Sequence, residues 1–167
     1  EGGGNAGGEL TLLFVGERGA GKTSLVDAAA NHALGVGADD ARRLAITAKS
    51  RGLSKAMYYR LPRPPSSPSP GCVLGLIDSR GVDGSAADAR DRAGLGAALA
   101  HLSSAPGGGG ELAAVVVVVR ATGTRWGLLR GHLREVLSAV GPGAWRNVVF
   151  AVTFCEGAMA PAGGGGA

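Results

Sequence analysis

This sequence predicts an α/β fold: a mostly parallel sheet, covered by helices on both faces, with one antiparallel strand. Three observations carry that prediction. Five short apolar runs recur along the 167 residues, and three of the four gaps between them hold a helical pattern. Strands that alternate with helices make a parallel sheet with both faces covered. The fourth gap, Pro62 to Gly71, has five prolines in nine residues and no room for a helix, so the strands on either side of it pair antiparallel.

Leu10-Thr-Leu-Leu-Phe-Val15 is short, apolar and bounded by glycines, which reads as a buried strand. Lys22 to Leu34 is helical, with Leu25, Val26, Ala29, Ala33 and Leu34 on one stripe and Gly35 as the stop. Residues 36 to 54 are polar and mixed, a long mobile connection. Met57 to Leu61 is a second strand, and Cys72 to Ile77 a third that ends sharply at Asp78. Residues 88 to 104 form a helix despite two glycines. Val115 to Val119 is a run of one β-branched residue, as in a strand buried on both faces. Gly127 to Val140 is helical, with Leu128, Leu129, Leu133, Val136, Leu137 and Val140 at helical spacing, and Val148 to Val152 is the last strand. Residues 10–157 thus form one domain, between a flexible glycine-rich N-terminus (1–9) and a disordered glycine-rich tail (158–167).

Composition removes several classes. Glycine supplies 31 residues and alanine 29, while aromatics make up 4%. With 45% apolar and 18% charged residues the chain is globular rather than disordered. Two cysteines make no disulfide framework, and no Cys/His spacing offers a zinc site. The longest apolar run, Leu112 to Val119, is too short to span a bilayer, and no signal peptide is visible at Glu1 to Leu10. We expect a cytoplasmic protein. A net charge of +4 with scattered arginines argues against a nucleic-acid groove. His32, His101 and His132 lie in helical patterns without partner ligands and read as solvated or packed; Trp126 and Trp145 read as core or edge packing.

The chemistry sits at the strand ends. Gly16-Glu-Arg-Gly-Ala-Gly-Lys-Thr23 matches G-x-x-x-x-G-K-S/T at every defined position, between a predicted strand and a predicted helix. Glycines let such a loop curl so that successive backbone N–H groups point at phosphate oxygens, and the helix N-terminus adds its dipole. In this reading Lys22 reaches the β- and γ-phosphates, and the Thr23 hydroxyl is a ligand for Mg²⁺. Asp78-Ser-Arg-Gly81 follows the third strand. A carboxylate there can hold Mg²⁺, and Gly81 can offer its N–H to the γ-phosphate. Ser79 stands where ATP-hydrolysing relatives of this loop carry a Glu that activates water, which disfavours an ATPase. Val152-Thr-Phe-Cys-Glu-Gly157 resembles the guanine-reading N/T-K-x-D motif, with Thr153 at its first position, Glu156 at its last and Phe154 in place of the lysine. Phe154 can still cover a base by stacking.

On these residues the chain resembles a P-loop GTPase of the translation-factor-related class, near the septin-like and immune-associated families. It is most similar to animal proteins that open G-E-T-G-x-G-K-T-T-L-I-N-A-x-x-N-Y-x-L-G-V. Here that stretch reads Gly16-Glu-Arg-Gly-Ala-Gly-Lys-Thr-Ser-Leu-Val-Asp-Ala-Ala-Ala-Asn-His-Ala-Leu-Gly-Val36. The resemblance implies a three-layer G domain that binds GTP or GDP with Mg²⁺ and hydrolyses GTP slowly. Nucleotide contacts fall on Gly16, Glu17, Arg18, Gly19, Ala20, Gly21, Lys22, Thr23, Ser24, Gly81, Thr153 and Glu156. Metal contacts fall on Thr23 and Asp78, and catalysis on Lys22 and Gly81.

The departures are as informative. Arg80 replaces the proline of D-T-P-G, and Val82 stands where small GTPases place the glutamine that orients water. GTPases with an apolar residue there are assisted by dimerisation, which implies a homodimer through the nucleotide face. For the switch threonine, Thr47 and Ser54 are the weak candidates. The last base-backing motif, strand and helix of a G domain have no counterpart after Gly157. Two alternatives stay open: a degenerate, non-hydrolysing G domain that serves as an interaction module, and a P-loop ATPase.

Overall fold

The computed structural model describes residues 9–41, 43, 56–62, 72–104 and 111–155. Its strands and helices follow the order β1 (Glu9–Gly16), α1 (Lys22–Ala33), β2 (Met57–Pro62), β3 (Val73–Asp78), α2 (Ala87–Ser104), β4 (Glu111–Arg120), α3 (Trp126–Val140) and β5 (Val148–Thr153). The five strands form one sheet in the order β2-β3-β1-β4-β5. β1 pairs parallel with β3 and β4, and β4 pairs parallel with β5. β2 runs antiparallel to β3, as the prolines between them require. The expected C-terminal tail, most of the connection after residue 41 with Thr47 and Ser54, and the proline-rich loop from residue 63 lie outside the described residues, as does the expected N-terminal tail except Glu9, which is the first residue of β1.

Alternation along β1 sends side chains to two separate cores. Leu13 and Val15 join Ile77, Val115, Val117 and Val119 under Leu95 of α2 and Leu129, Val136 and Leu137 of α3. Phe14 joins Leu74, Leu76 and Val118 under Val26 and Ala30 of α1. Apolar side chains lie on both sides of the central strands, which is why β1, β3 and β4 read as continuous apolar runs. The antiparallel β2 is an edge strand and is guarded as such: Arg60 pairs with Glu9 at 2.8 Å, and the strand ends at Pro62. β5 is the other edge among the described residues and has no charge and no proline; Val149, Phe150 and Val152 are each more than half exposed.

Two expectations need correction, and one short segment was not foreseen. β4 begins at Glu111, four residues before the valine run, because Glu111 and Leu112 still pair with Leu10 and Thr11 of β1. A 3-10 segment over Pro142–Asn147, led by a proline that suits a helix start, connects α3 to β5. Trp126 is 61% exposed at the first residue of α3, so it is not core packing. Among the described residues no helix is long and apolar enough to cross a membrane.

His132 departs from the apolar pattern of α3. It is buried beside Leu129 and Val136, and neither ring nitrogen has a hydrogen-bond partner among the described residues. Burial lowers its pKa. Glu135 and Asp88 oppose that shift, and Lys22 and Arg92 reinforce it. A base whose folded pKa is depressed is protonated more readily in the unfolded chain, so its stability contribution is present above about pH 6.5 and is lost as pH falls through the folded value. We therefore expect thermal melting of the wild type to fall more steeply between pH 7 and pH 5 than that of His132→Leu, which has nothing to protonate at this site. Parallel melting curves for the two proteins across that range would contradict this.

Candidate functional site

The C-terminal ends of β1 and β3 lie side by side, with Phe14 opposite Asp78 in the register. The chain leaves β1 at Gly16, and no other residue fits there: a Cβ would stand 2.3 Å from the carbonyl oxygen of Val118. The loop then turns through Gly19 and Gly21, both with left-handed φ of +75° and +87°. Gly21 is also the N-cap of α1. It has no side chain to cap the helix, and the first turn contains no acidic residue. The dipole end of a 12-residue helix is thus left without an internal counter-charge.

Lys22 opens α1, yet its side chain is only 4% exposed. Nζ donates to the carbonyl oxygen of Glu17 at 2.8 Å and lies 3.5 Å from that of Gly16. Burial pushes its pKa down to about 8, against the pull of the Asp78 and Glu17 carboxylates. Gly81 touches this ammonium group. With φ of +85°, a Cβ there would come 2.1 Å from Lys22 Nζ and 2.7 Å from the Gly16 oxygen. The loop and the Asp78–Gly81 segment are therefore one unit.

Thr23 and Asp78 meet as the sequence predicts. The Thr23 hydroxyl donates to Asp78 Oδ2 at 2.8 Å. Asp78 is buried, and desolvation raises its carboxyl pKa against the opposing Thr23 hydrogen bond and Lys22 charge. Its other oxygen, Oδ1, is buried without a donor among the described residues, as is Ser79 Oγ. Buried acceptors without donors are uncommon in folded proteins. A divalent cation suits this acceptor, with Thr23 Oγ1 as its neighbour. Among the described residues no cluster of three or more His, Cys, Asp or Glu can hold a metal. Thr23 Oγ1 and Asp78 Oδ1 are the two oxygens that could hold such a cation, too few for an all-protein cage.

Glu17 and Arg18, expected at the nucleotide, turn their side chains to the protein. The Glu17 carboxylate is buried and accepts from the backbone N–H and the guanidinium of Arg125 at the start of α3. Arg125 also donates to the carbonyl oxygen of Asp83 at 3.0 Å, and Arg18 donates to the Asp83 carboxylate at 2.7 Å. Backbone bonds from Val82 N to Gly16 O and from Arg18 N to Val82 O complete the link. Asp88 accepts from the N–H groups of Asp83 and Gly84, which ties the same turn to α2. Sequence reasoning missed Arg125, Asp83 and Asp88. The Arg125 and Asp83 side chains find partners 42 to 108 residues away, which no local spacing reveals; Asp88 bonds only four and five residues back, a local turn that its sequence could have signalled.

At the end of β5, Thr153 lies against the same loop. Its hydroxyl, with one hydrogen to donate, lies 2.7 Å from the carbonyl oxygen of Ala20 and 3.1 Å from that of Val119. Phe154 follows with a left-handed φ of +56°, and its ring edge lies beside Gly21. Glu156 lies outside the described residues. Gly16 to Ser24, Asp78, Gly81 and Thr153 are thus brought together at one end of the sheet, where ligands of open α/β sheets bind. Comparison with protein-family models, with curated proteins and with solved structures returns no match.

The buried ammonium makes a test of this geometry that needs no ligand. Lys22 is protonated more readily in the unfolded chain between about pH 8 and 10.5, so its burial penalty is fully present below pH 8 and is relieved as pH rises through that window. Urea denaturation should show the wild type gaining stability relative to Lys22→Met from pH 8 to 10.5. A constant difference would mean that the ammonium group is solvated rather than buried.

Proposed function

We propose that this chain is a G domain that binds GTP or GDP with Mg²⁺ through the Gly16–Thr23 loop and hydrolyses GTP slowly. The observation that carries the proposal is the contact of Thr23 with Asp78 beside the buried Lys22, in a glycine loop that caps a parallel strand and opens a helix. That arrangement concentrates donors for a polyphosphate: loop N–H groups, the dipole end of α1, and one ammonium group held at the loop's own carbonyls. The sheet order, with its antiparallel β2, supports the same reading.

In the proposed reaction water attacks the γ-phosphorus in line with the β–γ bridging oxygen. The new P–O bond forms as the bridging bond breaks; the electron pair leaves with GDP, and the proton goes to solvent or to a phosphate oxygen. Lys22 leaves the carbonyl oxygens of Glu17 and Gly16 to meet the β- and γ-oxygens, and the loop N–H groups stabilise charge there. Gly81 offers its N–H to the γ-phosphate and passes the state of the site to Val82, Asp83 and α2. Thr23 and Asp78 would hold Mg²⁺, which neutralises phosphate charge. Glu156 is assigned to the guanine edge, with Thr153 fastening its segment to the loop, and the nucleotide face is assigned to a homodimer contact.

One observation favours the non-hydrolysing alternative. Val82, directly after Gly81, is buried and bonded through its backbone to Gly16 and Arg18, so it offers no side chain to orient water. Phosphate release at saturating GTP decides between the readings. The account expects slow turnover that increases with protein concentration and falls at least tenfold in Lys22→Ala. GTP binding without release above the Lys22→Ala background would leave the interaction module. Nucleotide selectivity for ATP would leave the ATPase.

A further inference from the structure

The assigned guanine contact, Glu156, lies beyond the described residues, but Phe154, two residues before it, lies beside the loop at Gly21 next to Thr153. Four features single it out. Among the described residues it is the one non-glycine with a positive φ, and a left-handed backbone is unfavourable for a bulky side chain unless the surroundings impose it. The surroundings do impose it: Thr153 is fastened to Ala20 and Val119 through its hydroxyl, and its carbonyl oxygen accepts from Ala121 N–H at 2.9 Å. The strained backbone does not bury the ring. Phe154 is 62% exposed, the most exposed of the large apolar side chains among the described residues. The ring also has a neighbour of functional type at each side, Gly21 of the loop 3.7 Å from its edge (measured from a Cβ placed on the glycine) and the Arg120 guanidinium 6.0 Å from its centroid.

An exposed aromatic side chain on a strained backbone gains nothing for the fold from its exposure. Placed within one residue's width of a phosphate-binding loop, it gains from a planar group attached to that phosphate. We infer that Phe154 is the stacking platform for the nucleotide base, and that this contact does not discriminate between purines. Every base has a π-face, so stacking supports guanine and adenine alike. Arg120 lies at cation–π distance from the ring, and we assign it to holding the platform from that side. Discrimination between GTP and ATP then rests on hydrogen bonds to the base edge alone, while a shared part of the affinity comes from the ring. This inference rests on the proposed phosphate-binding role of the loop.

Titration calorimetry with Mg²⁺ separates the two ideas, using inorganic tripolyphosphate, GTP and ATP against wild type, Phe154→Ala and Phe154→Tyr. The expected result is that Phe154→Ala weakens GTP and ATP by the same factor, between about five- and a hundredfold. Tripolyphosphate affinity should stay unchanged, and Phe154→Tyr should restore both nucleotides. Circular dichroism melting of each variant confirms the fold, which an exposed side chain does not carry. Tripolyphosphate and nucleotide binding that are both indifferent to Phe154→Ala would overturn the platform and leave the phosphate loop standing. Loss of tripolyphosphate binding in Phe154→Ala would also overturn it, since the ring would then only shape the loop. A wild type that binds none of the three ligands would remove the loop reading and the platform together.

Discussion

Everything at the functional end of this sheet depends on how closely three backbones approach one another where β1 ends. Gly16 abuts the Val118 carbonyl, and Gly81 abuts the Lys22 ammonium and the Gly16 carbonyl, with no space for a Cβ at either position. These two contacts fix the mouth of the loop against β4 on one side and against the segment after β3 on the other. The remaining geometry follows from them. With the mouth fixed, Thr23 reaches Asp78 from the second residue of α1, and Thr153 reaches Ala20 across the loop. Side chains contribute to the site because the backbones leave them nowhere else to point.

The electrostatics of the loop work against the fold. A buried ammonium, a buried carboxylate with an orphan oxygen and an uncapped helix N-terminus are each unfavourable in a protein that has no use for them. Together they make an anchored set of charges and dipoles that a polyphosphate with a divalent cation would satisfy at once. The Glu17–Arg125–Asp83–Arg18 pairs hold this arrangement from outside. They link the loop to the start of α3 and, through Asp88, to α2, so a change in the loop has a defined route to two helices.

Most of the fold was legible because its signals are local. The valine run of β4, the apolar stripe of α3 and the G-x-x-x-x-G-K-T segment each state their structure within a window of a few residues. The antiparallel β2 followed from proline chemistry alone. What the sequence hid was set by contacts across the chain. His132 lies on the buried stripe of α3, where periodicity marks the position but not the residue type. Trp126 is large and apolar, yet a helix's first residue is exposed when nothing packs over it. Glu17 and Arg18 sit inside a motif that points to phosphate, but their side chains are claimed by partners more than sixty residues away. Phe154 was legible as an aromatic residue in the place of a lysine, while its left-handed backbone and its proximity to Gly21 needed the fold.

The central claim is that the Gly16–Thr23 backbone is a cradle for phosphate. The most direct measurement is the change in backbone amide resonances on adding GTP with Mg²⁺ to the labelled protein. The account predicts large shifts at residues 19 to 24 and at Gly81, smaller ones at Asp78 and around Thr153 and Phe154, and little change along β2 at the far edge of the sheet. Amides of the loop that stay in place at millimolar nucleotide would contradict it, and the buried charges around Lys22 would then need another explanation.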